Sequence, residues 1–468
     1  MVGIPLPERP RRTPCGRLSS WATPDPTVVC ITSTLLGTVS RMTAATPLGT
    51  PVVAPPTIGV LGRDWRATVT PGGAVEQWDG LGALDWFVAA DDRWHVPARE
   101  PAVRQSLVEG TPVVETRLRI PSGDAVHRVY SVADHGGLAV VEITNDSPLP
   151  IAVAFAGAAV LSARPPTDMP IEGIDLPAGA VVFPVGHHAT LTVALPHHPG
   201  SELARSGRLP AGLPTALQVA RGWLALAERA SRLLVPDPTA IGAVVRERCQ
   251  LLLDGPADAH ERPVDFLLSI GELVRMGSVA EAWMPELADA VAALPAHVAD
   301  PFLGAALDAA GRVCVAADDP RAERDLHQVR NRLAREHPSA NAGPLKAAES
   351  VTGLRDVVAL ERTIADGTDL FPHGIPAPWL GQHFEVYGVP TGTRSSVSFA
   401  VRWHGERPAV LWECSGDPVT LTSSGAAPGW STTDRTGETL WPAPTGAVPT
   451  VPSAPERPGA PDGDVSFS

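Results

Sequence analysis

Cleaving a glycosidic bond takes two carboxyl groups, one held neutral as acid and one ionised as base or nucleophile, roughly 5 to 10 Å apart. Four carboxylates in the middle of this 468-residue chain stand in apolar, helix-period surroundings: Asp265, Glu272, Glu281 and Glu286. Asp265 and Glu272 are seven positions apart, so on a helix they share a face two turns from each other. Glu281 and Glu286 flank Trp283, and an aromatic ring beside a carboxylate is an arrangement that sugar sites use. Glu272, Glu286 and Asp265 are therefore the candidate catalytic residues, with Trp283 as a substrate contact. The competing reading is structural. Glu281 completes a capping box with Ser278, and helix carboxylates commonly face water.

A denser constellation lies nearer the N-terminus. Trp78-Asp79-Gly80, Asp85-Trp86-Phe87 and Asp91-Asp92-Arg93-Trp94-His95 place three tryptophans among four aspartates within 18 residues. Indole faces stack on sugar rings and carboxylates accept hydroxyl hydrogen bonds, so Trp78, Asp79, Asp85, Trp86, Asp92 and Trp94 could form a carbohydrate platform. The plainer reading puts the tryptophans in a core and the aspartates in turns. A third place is the Pro/Gly-rich segment Leu370 to Pro390, where His373, Trp379 and His383 could touch a ligand at a domain junction. Its alternative role is a rigid linker with wedged aromatics.

Other chemistry finds little footing. His187-His188 and His197-His198 flank one expected strand, Ala189 to Leu195, which separates the pairs by more than about 20 Å at about 3.3 Å per residue. No metal site follows from them, and no cofactor is expected. Glycine pairs such as Gly72-Gly73 and Gly136-Gly137 read as turns, and no phosphate-cradling or nucleophile-elbow motif is present.

The elements that must carry these residues change period twice. From Ile58 to about Pro196 the pattern is β: Glu115, Arg117 and Arg119 alternate with Val114, Thr116, Leu118 and Ile120. Turns such as Pro121 to Asp124 and Asn145 to Pro148 separate short strands at even spacing, which predicts an antiparallel sandwich over 57–200. Near Pro214 the period becomes helical. Asp237-Pro238, Asp300-Pro301 and Asp319-Pro320 each put an N-cap carboxylate before a first-turn proline. Gly277 should stop one helix and Pro285 break or restart another. About six or seven helices are expected over 214–366. From Gly381 the chain is β again: Val397, Phe399, Val401 and Trp403 alternate with polar or small residues, and a turn at His404 to Pro408 leads into Ala409 to Glu413. The expected class is α+β multidomain: a β-sandwich (57–200), an antiparallel α-helical hairpin domain (214–366) and a small C-terminal β domain (381–441). Residues 1–56 read as a leader, disordered or mis-assigned, with Met42 as the simplest start of the folded protein, and 442–468 as a disordered tail.

This order resembles the six-hairpin glycosidases and related sugar phosphorylases. "VSFAVRWHGERPAVLWE" (Val397 to Glu413) is similar to the hairpin of their closing β domain, and "HRVYSVADHGGLAVVEITNDSPLPIAVAF" (His127 to Phe155) to their leading sandwich. The likeness implies acid/base cleavage or transfer at a glycosidic bond by two carboxylates on or between helices. It is partial, since a full toroid has twelve helices. The expectation is a glycosidase-like protein acting on or binding a glucan or related carbohydrate, with catalysis left open. The alternative is a scaffold that meets a protein partner through its helical face. Strands threaded through 215–365, or one continuous sheet joining front and back, would end the carbohydrate proposal and its shortlist of positions.

Charge sets the outer bounds. Thirty-seven basic against 51 acidic residues give −14, with Lys346 the lone lysine, which disfavours nucleic acid and anionic membranes as partners. No apolar run reaches about 20 residues, so no membrane-spanning helix is expected. Five scattered cysteines (Cys15, Cys30, Cys249, Cys314, Cys414) suit neither a disulfide framework nor a zinc site. Thr27 to Val39 is a poor export signal, and the expected location is cytoplasmic.

Overall fold

Strict alternation folds the front of the chain into sheet. In Val114–Ile120 the residues Val114, Thr116, Leu118 and Ile120 point inward, while Glu115, Arg117 and Arg119 face outward. The computed structural model describes residues 55–80, 82–167, 172–337, 345 and 350–444. The expectations for the leader before residue 55, with Met42 and Thr27 to Val39, for Cys15, Cys30 and Lys346, and for the tail beyond 444 lie outside the described residues.

Between Thr57 and Pro196 the described strands make two antiparallel sheets. One runs in the order Thr57–Gly59, Arg66–Val69, Val75–Gln77, Ala83–Ala89, Ile151–Ala156, Val181–Val185, with Trp94–His95 also on the fourth strand. The other runs Leu161–Ser162, Thr190–Pro196, Leu138–Asn145, Gly123–Val132, Val114–Ile120, Arg104–Leu107. Trp86, Val88, Val153, Phe155 and Phe183 of the first interdigitate with Val114, Leu118, Val141 and Val193 of the second. The turn after Leu138–Asn145 is locked by Asn145, whose amide donates to the Leu149 carbonyl (2.7 Å) while its Oδ1 accepts from the Ser147 N–H (3.0 Å) and hydroxyl (2.7 Å).

Eight α-helices lie among the described residues: α1 (Glu202–Ser206), α2 (Ala216–Ala227), α3 (Pro238–Asp254), α4 (Pro263–Arg275), α5 (Met284–Ala293), α6 (Leu303–Ala316), α7 (Pro320–Glu336) and α8 (Leu354–Ile364). Thr215 and Gln218 close a capping box at the start of α2. That helix lays Ala216 and Ala220 on Tyr130, Val132 and Val140, so the outer face of the second sheet is covered instead of wet. Asp237 and Asp319 cap α3 and α7 as their Asp-Pro pairs predict. Asp300 bonds the Phe302 N–H (2.9 Å) one turn ahead of α6, which begins at Leu303. Ser278 makes no cap. A 3-10 turn, Ala280–Trp283, precedes α5, and the Ser278 hydroxyl instead accepts from the Trp283 indole (3.0 Å). Helix α4, buried along most of its length, centres the helical core, packed by α3, α5, α6 and α8.

One strand interrupts the helical stretch. Arg232–Leu234, between α2 and α3, joins the C-terminal sheet, whose order is Arg232–Leu234, Phe384–Pro390, Ser395–His404, Arg407–Gly416, Thr436–Leu440. Leu233 faces the core and its neighbours face solvent, a period of two set between a helix end and Pro236. The helical layer and the C-terminal sheet are therefore sewn together by backbone hydrogen bonds, a joint that independent modules would lack. No sheet among the described residues joins front and back. A smaller sheet (Ala365–Asp366, Asp369–Leu370, Leu421–Thr422, Ser431–Thr432) completes the α+β arrangement. No described helix is long and apolar enough to cross a membrane.

Candidate functional site: an arginine-walled hollow

Four charged side chains occupy positions that helix periodicity assigns to the core. Arg248 of α3 stands between Val244 and Leu252, one turn from each. Glu272 of α4 follows Leu268 by one turn, with Arg275 three residues on. Glu361 of α8 follows Val357 by one turn. Each carries an apolar neighbour's burial with it, and a buried charge must be paired.

The pairing is dense. Arg248 Nε lies 2.7 Å from Glu272 Oε1 and its Nη2 2.8 Å from Glu361 Oε1. Arg275 Nη1 lies 2.7 Å from Glu272 Oε2 and 2.8 Å from Glu361 Oε2. The remaining donors hold the chain that leads into strand Arg232–Leu234: Arg248 Nη1 donates to the Ser231 carbonyl (2.8 Å) and Arg275 Nη2 to that of Ala230 (2.6 Å). Burial would raise the Glu361 carboxyl, yet Arg275 and Arg248 overcome it and hold it at about 2. For Arg275 burial works the other way, and Glu272 and Glu361 more than compensate, pushing its pKa up.

Beside this network a hollow of about 350 Å³ opens between the helices and the C-terminal sheet. Arg229, just past α2, Arg275 of α4, Arg312 of α6 and Arg394 all line it. Arg394 belongs to the loop between strands Phe384–Pro390 and Ser395–His404, which contributes Gly392 and Thr393 to the wall. That loop leans closely on α6. A Cβ at Gly311 would come within 2.6 Å of Thr393 Cγ2, so a larger residue there would force Thr393 to shift. Gly416, at φ +83°, supports the loop from below, where a Cβ would strike the Arg394 carbonyl.

Arg312 is the odd member. Its Nε is shut off from solvent and has no hydrogen-bond partner among the described residues. Burial, with the like charge of Arg275 beside it, lowers its pKa to about 10. The nearby Asp308 is already shared by Arg330 and Arg362. Asp308, Glu272 and Glu361 act on Arg312 through space and oppose that lowering, while each is itself bonded to other arginines.

Of the residues singled out from the sequence, Glu272 alone reaches this place, and it does so as the partner of two arginines. Asp265 accepts from Arg355 Nε (2.6 Å), whose other nitrogens fork onto Asp300 at 2.9 and 2.8 Å. Glu286 is half-buried on α5, and Trp283 sits in the helical core. The three front tryptophans face different ways. Trp86 is inside the sandwich, stacked on His127 at 4.5 Å with its indole N–H on the Gly72 carbonyl. Trp94 lies half-buried against the outside of the first sheet and donates to the Glu172 carbonyl (2.9 Å). Trp78 is 59% exposed. Asp79 and Asp85 are exposed, and Asp92 binds His95 Nε2 at 3.0 Å. Trp379 is buried edge-on to Phe384 at 5.4 Å. His373 and His383 are exposed, and His383 Nδ1 accepts from the Trp403 N–H (3.0 Å). Arg229, Arg275, Arg312 and Arg394 were not among the sequence candidates. A second hollow of about 750 Å³ borders the sandwich near Gly157 and has two arginines, Arg164 and Arg208, in its wall. Set against known protein families and curated proteins, the chain matches no family model and no curated sequence.

Proposed function

We propose that this protein binds a small anionic ligand in the arginine-walled hollow between its helical layer and its C-terminal sheet. One observation carries the reading: four arginines, Arg229, Arg275, Arg312 and Arg394, line one hollow that has no carboxylate among its lining residues, in a chain whose net charge is −14. Guanidiniums are the side chains best shaped to fork onto planar or tetrahedral oxyanions. Hydrolysis of a glycosidic bond is not part of the proposal, because Glu272 and Asp265 are already bound by arginines and neither hollow described above has a carboxylate in its wall.

The test is thermal unfolding of the full chain with added sodium sulfate at constant ionic strength. A ligand that binds only the folded state raises its melting temperature by mass action. The wild type should be stabilised, and Arg312→Met with Arg229→Ala should lose the shift while remaining folded. An equal shift in both proteins, or none in the wild type with any oxyanion, would refute the reading.

A second reading keeps the carbohydrate expectation at a different place. Trp78 presents an open indole face beside Asp79 at the edge of the sandwich, the one front tryptophan free to stack on a sugar ring. A glycan array with wild type and Trp78→Ala checks it. Strand Arg232–Leu234 does run through the helical stretch, so this second reading rests on the Trp78 face alone and no longer on the six-hairpin layout.

A further inference from the structure

We propose that the outer face of the C-terminal sheet docks a second copy of this chain, so that the protein pairs about a twofold axis lying across that sheet. The proposal is independent of the anion reading. Residues pointing inward from the sheet, such as Leu233, Val386, Phe399, Val401, Val410 and Trp412, fill a core. The outward positions should then be polar, as they are in antiparallel sheets with one solvated face. They are not. Leu234, Tyr387, Leu411 and Leu440 all stand exposed there, four of the eight large apolar side chains exposed among the described residues. Ala400 and Ala409 join them into one surface, because Ala400 is the cross-strand partner of Leu411 and Ala409 that of Leu440.

The apolar outer faces of the sandwich are covered from within the chain. Helix α2 lies over Tyr130, Val132 and Val140 of its second sheet, and Trp94, Ile174 and Leu176 pack against Phe87, Ala154 and Val182 of its first. Leu411, near the middle of the C-terminal face, stays exposed instead.

Charge says which partner fits. Arg232, Arg402 and Arg407 stand on this face against Glu385, Glu413 and Glu438, a sum of 3 − 3 = 0 in a chain of −14, with Glu228 and Glu406 at the rim. Glu385 pairs with Arg402 and Glu228 with Arg232. Arg407 and Glu413 have no ion pair among the described residues, and Arg407 is held in place by the Trp441 and Leu440 carbonyls (3.0 Å each). The two lie on one strand and one face, three residues to either side of Val410. A twofold axis across the strands at Val410 brings Arg407 of each copy to Glu413 of the other, twice over, and Leu411 to Ala409. The face is therefore complementary to itself in charge as well as apolar at its centre.

Its size also suits a pair. Five strands about 4.8 Å apart and about 24–34 Å long give a face of about 600–800 Å², and stable partners each bury about 600–1,000 Å². Two such sheets pack aligned, within about 30° of each other, which keeps Arg407 within reach of Glu413 across the axis.

Sedimentation velocity of the full chain between about 1 and 100 μM tests this. The wild type should reach twice 48.9 kDa within that range. Leu411→Lys should keep the urea midpoint of the wild type and sediment as a single chain. Arg407→Glu and Glu413→Arg should each weaken pairing by at least about tenfold, and the double exchange should restore it. Glu413 makes no hydrogen bond or ion pair among the described residues, so Glu413→Arg carries the test should Arg407→Glu disturb the fold. A wild type that sediments as a single chain throughout overturns the proposal and leaves the face to a different protein. A dimer that Leu411→Lys or Glu413→Arg fails to weaken overturns it too, and places the contact elsewhere.

Discussion

Arg275 and Glu361 meet fork to fork from two different helices, Nη1 lying 2.8 Å from Oε2 and Nη2 2.9 Å from Oε1. Arg275 ends α4 and Glu361 lies in the last turn of α8, so the pair ties the centre of the helical core to the element that leads into the C-terminal β region. Arg248 and Glu272 close the square, and no oxygen of Glu361 is left without a donor. Such a cluster is consistent with structure more than with acid/base work. An acid catalyst needs a carboxyl kept protonated near neutral pH, and Glu361 is held at about 2.

Removing one partner from this square leaves buried charge uncompensated. Glu361→Gln should cost about 3–5 kcal/mol of folding free energy. Arg312→Met should cost far less, near neutral, because burial and Arg275 outweigh the favourable field of Asp308, Glu272 and Glu361 on that guanidinium and its Nε makes no hydrogen bond among the described residues. Urea midpoints of the two variants against wild type read the difference. A Glu361→Gln protein within about 0.5 kcal/mol of wild type would contradict the account, since that is the scale of an ordinary surface change.

Acid should weaken the fold earlier than carboxylates alone require. His127, sealed in the sandwich against Trp86, is pushed by burial down to about 3, and burial with His198, Arg63 and Arg66 nearby takes His197 to about 3 as well. Both folded values are depressed. Below the unfolded value of about 6.5 the unfolded chain therefore binds protons that the folded chain refuses. Each histidine removes up to about 1.4 kcal/mol per pH unit as the pH falls from 6.5 toward 3, and Glu361 adds its share between 4.5 and about 2. His127→Phe keeps a ring on Trp86 and should flatten the slope between pH 6.5 and 4.5. Urea midpoints at pH 7.5, 6.5, 5.5 and 4.5 check this, and a wild type whose stability is level from 7.5 to 4.5 would overturn it.

Periodicity carried most of the architecture. Alternation in Val114 to Ile120 and in Val397 to Trp403, and the Asp-Pro starts of α3 and α7, are local signals that tertiary contacts only reinforce. Strand Arg232–Leu234 was hidden because three residues are too few for a period to declare itself, and its partner lies more than 150 positions away. The hollow was hidden for a related reason. Arg229, Arg275, Arg312 and Arg394 come from four separate segments and share no spacing. A signal did exist: Arg248, Glu272 and Glu361 each fall on an apolar helix face, where a charge demands a partner of opposite sign. Pairing Glu272 with Asp265 as two acids leaves out the cation that its buried position requires, which is Arg248.

The tryptophan-aspartate constellation shows how strand geometry decides between a platform and a core. In Ala83–Ala89 successive side chains alternate faces, so Trp86 turns inward while Phe87 turns out with Trp94. Two indoles nine residues or fewer apart thus lie on opposite sides of one sheet. Trp86→Ala should open a cavity between the sheets, strip His127 of its stacking partner and cost about 3–5 kcal/mol. Trp78→Ala, at an exposed position with a single indole hydrogen bond to Thr68 (2.7 Å), should stay within about 1 kcal/mol of wild type. Chemical denaturation of both variants distinguishes the two roles. Equal losses would mean that Trp78 is buried in the folded protein, and a negligible loss for Trp86→Ala would mean that the sandwich core lies elsewhere.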